Sequence, residues 1–289
     1  MMPIEARVKR YYSELTNVEK KVADYFLENI NTVFHMPISE LAERAGVSQV
    51  AWVRFSQRIG FSGLKELKRN LYTELEEARQ PDIDPSSYTF TDIKDFDNLA
   101  SIIKTIGNNS VQAIQDTMML FDLDELEEIV SLIIQADQVV VFGVGASALV
   151  ADDFANKLLR IGKQVTFWRE SHVQITYATT AREGDVCIFF SHSGATIEVL
   201  ESFEIVKELG LPTISITRPG GTPLSDQTDF QLFVSSPEVD MRSGATSSRL
   251  AHLAVVDILF TAIANKNYEN IKSSLIKSAS ALQHKKIEA

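Results

Sequence analysis

The apolar positions of this chain follow one period through its first third and another through its second half. Tyr11, Leu15, Val18, Val22, Tyr25 and Phe26 recur every three or four places, the spacing of a single helix face. Thr16 followed by Glu19 is a capping-box pattern, so a helix is expected to open there and run to about Ile30. Over 37–71 the same period continues in shorter pieces. Ser39 is the expected N-cap of a short helix over 40–45, and Gly46 ends it. Ser48 caps a second helix over 49–59, Gly60 closes that one, and Ser62 begins a third. A tight reversal between helices passes through positive φ, which is why a glycine is expected at the break. Residues 1–79 therefore read as an all-α domain.

Residues 80–92, Q-P-D-I-D-P-S-S-Y-T-F-T-D, carry two prolines among polar residues and read as a linker. Helical spacing returns in Phe96, Leu99, Ile102, Ile103, Ile106, Val111, Ile114 and Met118, and Asp122 is placed to cap a helix over 123–135. From 136 the pattern changes. Short unbroken apolar runs at 139–142, 164–168, 185–190, 212–217 and 230–234 alternate with helical stretches at 148–161, 171–180, 197–209 and 248–264. Strands without polar alternation are buried on both faces. Residues 136–264 are thus expected to form an α/β three-layer sandwich around a parallel, doubly wound sheet, with ligands beyond the strand C-terminal ends. The connecting helices, 93–135, either pack on this sheet or bridge the two domains. In 265–289, Ile271, Leu275, Ile276, Ala279 and Leu282 predict a C-terminal helix, either a lid on the sheet or an oligomer contact.

A chain of 289 residues has room for both domains. Its net charge of −11 speaks against nucleic acid until its distribution is read. Residues 1–79 hold twelve basic and eleven acidic side chains, so nearly all the negative charge lies in the second half. The opening Met1-Met2-Pro3 lacks the layout of a secretory signal, and no apolar run approaches the ~18 residues of a bilayer span. A cytoplasmic protein with no membrane partner is expected. The single cysteine, Cys187, falls inside a predicted strand and reads as a small hydrophobe, which leaves no disulfide, and no metal or cofactor is expected.

Two places carry candidate chemistry. In the first, the second helix of a helix–glycine–helix pattern would enter the DNA major groove. Ser48, Gln49, Val50, Ala51 and Trp52 would face base edges or the sugar-phosphate wall, and Arg54, Arg58 and Lys65, with Lys68 and Arg69, would meet phosphates. The same pattern also suits a dimerisation or docking bundle, and Arg54 beside Phe55 suits a buried ion pair. The second place is a pair of turns that each succeed a strand. Gly143-Val144-Gly145-Ala146-Ser147 could begin a dinucleotide site, but position 148 is alanine and no acidic residue closes the next strand before Trp168. Ser191-His192-Ser193-Gly194-Ala195-Thr196 places three hydroxyls where a helix begins. One would cap it; three with the backbone N–H groups can surround a tetrahedral oxyanion such as phosphate. A plain cap with a solvated turn is the alternative. His192 is counted among the ligand-binding candidates of this turn, although an extended turn would point its side chain opposite Ser191 and Ser193 to an exposed position, and His252, amid apolar neighbours, is expected to be structural. Glu238 could be a base, a partner for sugar hydroxyls or a solvated carboxylate. His172, in E-S-H-V-Q, could contact ligand or serve at the surface.

The run I-S-E-L-A-E-R-A-G-V-S-Q-V-A-W-V-R-F-S-Q-R-I-G-F-S-G-L-K-E-L-K, residues 38–68, resembles the helix-turn-helix of RpiR-type bacterial transcription regulators. It departs at Ala51, where that family has Ser or Thr, and at Trp52, where it has a smaller aliphatic. The S-x-S-G-x-T of Ser191, Ser193, Gly194 and Thr196, with the G-x-G-x-S of Gly143, Gly145 and Ser147, resembles the SIS (sugar isomerase) domain, a phosphosugar-binding fold. RpiR-type regulators carry the two in this order. The resemblance implies that Ser191, Ser193 and Thr196 hold a phosphate and that Ser147 and the backbone near Gly145 reach sugar hydroxyls. It implies a regulator with three partners: a double-stranded DNA operator, a phosphosugar effector, and a second copy of itself in a dimer or tetramer. A phosphosugar isomerase with an accessory helical domain is the alternative, and a phosphosugar-dependent regulator of another protein is a third. Isomerisation requires a base and help with ring opening. No constellation in the chain demands either, and a DNA-reading domain would be idle in an isomerase.

Overall fold

The computed structural model describes residues 3–30, 32–33, 36, 38–79, 98–236 and 244–283. The expected linker over 80–92 and Glu238 lie outside the described residues. The chain forms two compact units, one helical and one α/β.

In the helical unit, α1 (Ile4–Tyr11) leads through a short 3-10 turn into α2 (Asn17–Glu28), and then come α3 (Ile38–Arg44), α4 (Gln49–Arg58) and α5 (Leu64–Arg79). The capping box predicted for α2 is present: the Thr16 hydroxyl accepts from the Glu19 N–H at 3.3 Å, and the Glu19 carboxylate accepts from the Thr16 N–H at 2.8 Å. Between α3 and α4, Gly46 has φ +63°. The Val47 N–H reaches the Ala42 carbonyl at 2.9 Å and the Gly46 N–H reaches Glu43 at 3.1 Å, closing a Schellman turn. Ser39 falls inside α3 rather than capping it, and the third helix starts at Leu64 rather than Ser62 and runs on to Arg79. Val22, Phe26, Leu41, Trp52, Phe55, Leu67 and Leu71 are fully buried and form the core.

The α/β unit opens with α6 (Leu99–Met119) and α7 (Leu123–Gln135), which the Asp122 carboxylate caps. Its remaining elements are β1 (Gln138–Gly143), α8 (Gly145–Arg160), β2 (Val165–Phe167), α9 (Ser171–Ala178), β3 (Asp185–Phe190), α10 (Ile197–Glu208), β4 (Thr213–Thr217), β5 (Phe230–Phe233), α11 (Ser247–Lys266) and α12 (Tyr268–Gln283). The five strands are parallel in the order β2-β1-β3-β4-β5. Successive side chains of each strand serve opposite faces. Val139, Val141, Val186, Ile188, Phe190, Ile214 and Ile216 pack with α7, α8 and α11. Val140, Phe142, Cys187 and Phe189 pack with α9 and α10, where the Phe142 and Phe189 rings stack at 4.7 Å. The doubly wound sandwich expected from the unbroken apolar runs is therefore observed.

The helices before the sheet belong to this unit. Ala113 and Ile129 lie in its core, and the buried Thr117 hydroxyl accepts from the Ser235 N–H at 3.0 Å. At the far end, α12 contributes Ile271 to the same core while Ile276 stays exposed. Among the described residues, α11 is long and apolar enough to cross a bilayer. Here it is a core helix, with Ala251, Val255, Val256, Leu259 and Ile263 buried, and it carries Arg249, His252 and Asp257.

Candidate functional site

The strand order reverses direction between β1 and β3, and such a switch point leaves a crevice at the strand C-terminal ends. Gly143 pairs with Phe190 across these two strands, so the turns after them emerge side by side. Each leads straight into a helix. The first turn is shorter than expected: only Val144 separates β1 from α8, so Gly145, Ala146 and Ser147 are the first turn of α8 itself. Thr196 is the N-cap of α10. Two helix N-termini, each with unsatisfied N–H groups and the positive end of a dipole, thus open onto one crevice.

The second turn is held from below. The Ser191 N–H bonds the Ile216 carbonyl on β4 at 3.2 Å, and the Leu224 N–H bonds the Gly194 carbonyl at 3.0 Å. Ser191 and Thr196 hydroxyls lie 3.1 Å apart, and the Thr196 side chain makes no cap bond to α10. Ser193 Oγ accepts from the Ala195 N–H at 3.3 Å. The three hydroxyls therefore surround the start of α10 while leaving its terminal N–H groups without a side-chain cap. That arrangement suits an oxyanion better than a helix closed on itself. Gly194 has φ +62° and is buried; a Cβ placed there would lie 2.5 Å from Thr222 Cβ. No other residue fits.

His192 is a correction. It is buried rather than exposed, with Nδ1 3.3 Å from His252 Nε2. The peptide carbonyl of His192 is tied to the Arg218 N–H at 2.8 Å, so the turn curls its side chain under the hydroxyl rim and onto α11. His252 is buried as expected. His172 is exposed in the first turn of α9, behind the Glu170 cap. Two backbone donors, the N–H groups of His172 and Val173, hold the Glu170 carboxyl below its usual range. Cys187 is buried between the layers, and burial, reinforced by the charge of Asp185, pushes its thiol up to about 12.

In the helical unit, Ser48, Gln49, Val50, Arg54 and Arg58 are exposed at the start and along one side of α4, and Lys65 is exposed on α5. Ser48 is the N-cap of α4, and its hydroxyl makes no cap bond. Ala51 and Trp52 are corrections: both are buried, Trp52 fully, with its ring edge-on to Tyr25 at 6.1 Å and to Phe55 at 6.3 Å. The buried positions 51, 52, 55 and 56 form the one face of α4 that turns inward, so these side chains face the core rather than a groove. The bulky Trp52 accordingly fills core volume. Arg54 is exposed, not in a buried pair; Arg58 instead stands 3.9 Å from Glu19. Lys68 donates to the Met36 carbonyl.

Two residues that hold the crevice belong to neither sequence motif. Thr222 seats Gly194, and Gln174, buried on α9, reaches Gly143. Gln174 does leave a signal: with Ala178 four places on, it is a polar residue on the core-facing side of its helix.

Residues 2–78 match the model of the helix-turn-helix domain, rpiR family, and residues 132–262 match that of the SIS domain. An HTH-type transcriptional regulator of Caldanaerobacter subterraneus is 35% identical over 288 residues, 99% of each chain. Another, YbbH of Bacillus subtilis, is 35% identical over 271 residues, 93% of each. Among solved structures, the Vibrio vulnificus NanR protein complexed with ManNAc-6P aligns with a TM-score of 0.62 and 26% identity, covering 99% of this chain and 100% of that one. The sugar isomerase domain of an RpiR transcription factor from Sphaerobacter thermophilus shares the fold, with a TM-score of 0.57 and 23% identity over 62% of this chain and 99% of its own.

Proposed function

The chain belongs to the RpiR family of helix-turn-helix transcriptional regulators, and from that premise we propose that its α/β unit senses a phosphosugar and sets the DNA affinity of its helical unit. One observation carries this reading: three hydroxyls and two helix N-termini meet in register at the switch point of the sheet. Ser191, Ser193 and Thr196, with the first N–H groups of α10, grip the phosphate. Gly143, Gly145, Ala146 and Ser147 face the sugar, with His172 nearby; Glu238, expected from the sequence to contact ligand, lies outside the described residues. His192 supports the turn from beneath. A phosphosugar is favoured over other phosphates because NanR, similar along its whole length, is complexed with ManNAc-6P.

On the DNA side, Gln49 and Val50 face the major groove of a double-stranded operator, and Ser48, Arg54, Arg58 and Lys65 meet its backbone. This division gives working domains of 1–79 and 136–264, with α6, α7 and α12 belonging to the same unit as the latter. A dimer or tetramer provides the two-fold symmetry that a palindromic operator requires, and the cytoplasm provides access to DNA. Ligand changes DNA affinity only to the extent that it binds the two states unequally.

Thermal unfolding with a panel of sugar phosphates tests the site. At a hundred times its Kd a true ligand stabilises by ~2.7 kcal/mol, and Ser193→Ala is expected to shrink that shift. If no phosphosugar shifts the wild type, or Ser193→Ala responds equally, the assigned site is wrong. Electrophoretic mobility at several salt concentrations tests the DNA face, with Arg54→Ala expected to reduce the salt slope by about one.

A further inference from the structure

β2 ends at Phe167, opposite Val141, while β1 continues to Gly143. In a parallel ladder alternate residues of β1 address the β2 side. Val139 does so through its N–H, which bonds the Gln164 carbonyl at 2.9 Å, and Gly143 is in phase with it. Where a continuing β2 would have paired Gly143, the side-chain amide of Gln174 takes its place. Gln174 Oε1 accepts from the Gly143 N–H at 3.0 Å, and Nε2 donates to the Gly143 carbonyl at 2.9 Å and to the Trp168 carbonyl at 2.7 Å. Both amide hydrogens and the oxygen are engaged, and the side chain is buried. A primary amide is the one neutral side-chain group that can act as a peptide in both directions.

Gly143 has little freedom of its own. A Cβ there would lie 3.2 Å from the Phe190 carbonyl and 3.3 Å from that of Ser147. Its peptide therefore sets how the first turn of α8 stands against the Ser191 turn. The Ser191 turn is fixed separately, by β4 and by Leu224. We propose that Gln174 is a positioning residue for the sugar half of the crevice: it completes the sheet at Gly143 and so aims the Gly145–Ser147 N-terminus of α8, without touching ligand. This rests on reading the Ser191 turn as the phosphate grip and the Gly143–Ser147 turn as the sugar contact.

The two halves of the site give the test its discrimination. Calorimetric titration of the full chain with N-acetylmannosamine 6-phosphate, glucose 6-phosphate and inorganic phosphate compares the wild type with Gln174→Met, which keeps length but makes none of the three bonds. The phosphosugar that the wild type binds is expected to bind Gln174→Met about tenfold more weakly (~1.4 kcal/mol), with inorganic phosphate unchanged within about twofold. Equal weakening of both probes would mean a general loss of the fold, and no weakening of either would mean no positioning; each overturns the proposal. Should Gln174→Met fail to fold, Gln174→Glu carries the same comparison. Its carboxylate keeps the Gly143 N–H but faces two carbonyls, and burial raises its pKa. The sugar-specific loss, taken relative to wild type at the same pH, is then expected at about pH 7.5 and to shrink at about pH 5.5, where a protonated carboxyl donates again. A loss independent of pH, or one shared by inorganic phosphate, overturns the proposal. Ser193→Ala separates the premise from the inference. If it binds both probes as wild type does, or if the wild type binds neither, the phosphate grip is misplaced and the proposal falls with it. If Ser193→Ala weakens both probes while the Gln174 variants bind as wild type, the grip stands and only the role of Gln174 fails.

Discussion

Gly194→Ala puts the packing of the Ser191–Thr196 turn to a quantitative test. Position 194 has φ +62°, and an L-residue held in the left-handed region costs ~1–2 kcal/mol. The added Cβ would lie 2.5 Å from Thr222 Cβ and 3.0 Å from its Cγ2, and closer still to Oγ1. Thr222 is buried and cannot swing away freely, because its hydroxyl is 2.8 Å from Ser225 Oγ and accepts the Ser225 N–H at 3.0 Å. Overpacking of this kind costs a further ~1–3 kcal/mol. A total near ~3 kcal/mol corresponds to a fall in Tm of about 6–12 °C for a unit of this size. Differential scanning calorimetry on Gly194→Ala, Thr222→Gly and the double variant divides the loss. Removing the Thr222 side chain relieves the overlap but not the backbone strain, so the two substitutions are expected to be strongly non-additive. A single variant within about 0.5 kcal/mol of wild type, the margin of an ordinary surface change, would refute the close approach. Additive losses would show that Thr222 is not what Gly194 accommodates.

Trp52→Ala is expected to destabilise the helical unit by ~3–5 kcal/mol in urea unfolding, as for other emptied aromatic sites. The indole N–H finds no acceptor among the described residues, so packing alone holds it, and Trp52→Phe should keep operator affinity within about threefold; a specific loss of DNA binding by a stably folded Trp52→Phe would return this side chain to the groove. Burial works to raise the Glu19 pKa, but the Thr16 donors and the charges of Arg58 and Arg54 outweigh it and hold the carboxyl below the usual carboxylate range. A folded pKa below the unfolded one contributes stability above the unfolded value and loses it as pH falls through the folded value. Glu19→Gln should therefore be less stable than wild type near pH 7, with the gap closing below about pH 4; a gap constant with pH would contradict this linkage. Cys187, buried with its thiol at about 12, should resist a thiol-disulfide reagent at about pH 7.5 until denaturant is added, and prompt labelling of the native chain would contradict its burial.

The sheet is legible in the sequence because its strands are apolar without alternation, and each of the five lies within two residues of its expected bounds. The hydroxyl-rich turn is legible for a local reason: Ser191, Ser193, Gly194 and Thr196 fall within six residues. His192 misleads because its orientation depends on His252, sixty residues away on α11, and on the backbone tie at Arg218. Trp52 misleads because its position near the start of α4 suggests a groove, whereas the phase of that helix is set by contacts with α2 that no local pattern records. Gln174 acts by replacing a missing strand residue, and the length of β2 becomes known only once the sheet is assembled.

The burial of α4 also has a bearing on how such a protein acquires new targets. Ala51, Trp52, Phe55 and Ser56 face inward, while Gln49, Val50, Arg54 and Arg58 face outward. Changes at the inward positions act on the packing of the whole helical unit, so they vary only with compensating changes around them. Apart from Arg58, which stands beside the buried Glu19, the outward ones make few contacts with the core, so they can be exchanged singly with small effects on folding. A lineage retuning its operators, or an engineer building an orthogonal regulator set, therefore has a short alphabet of adjustable letters on a fixed page. Libraries confined to Gln49, Val50 and Arg54 vary the exposed face alone; libraries that include Ala51 or Trp52 also vary the packing of the helical unit.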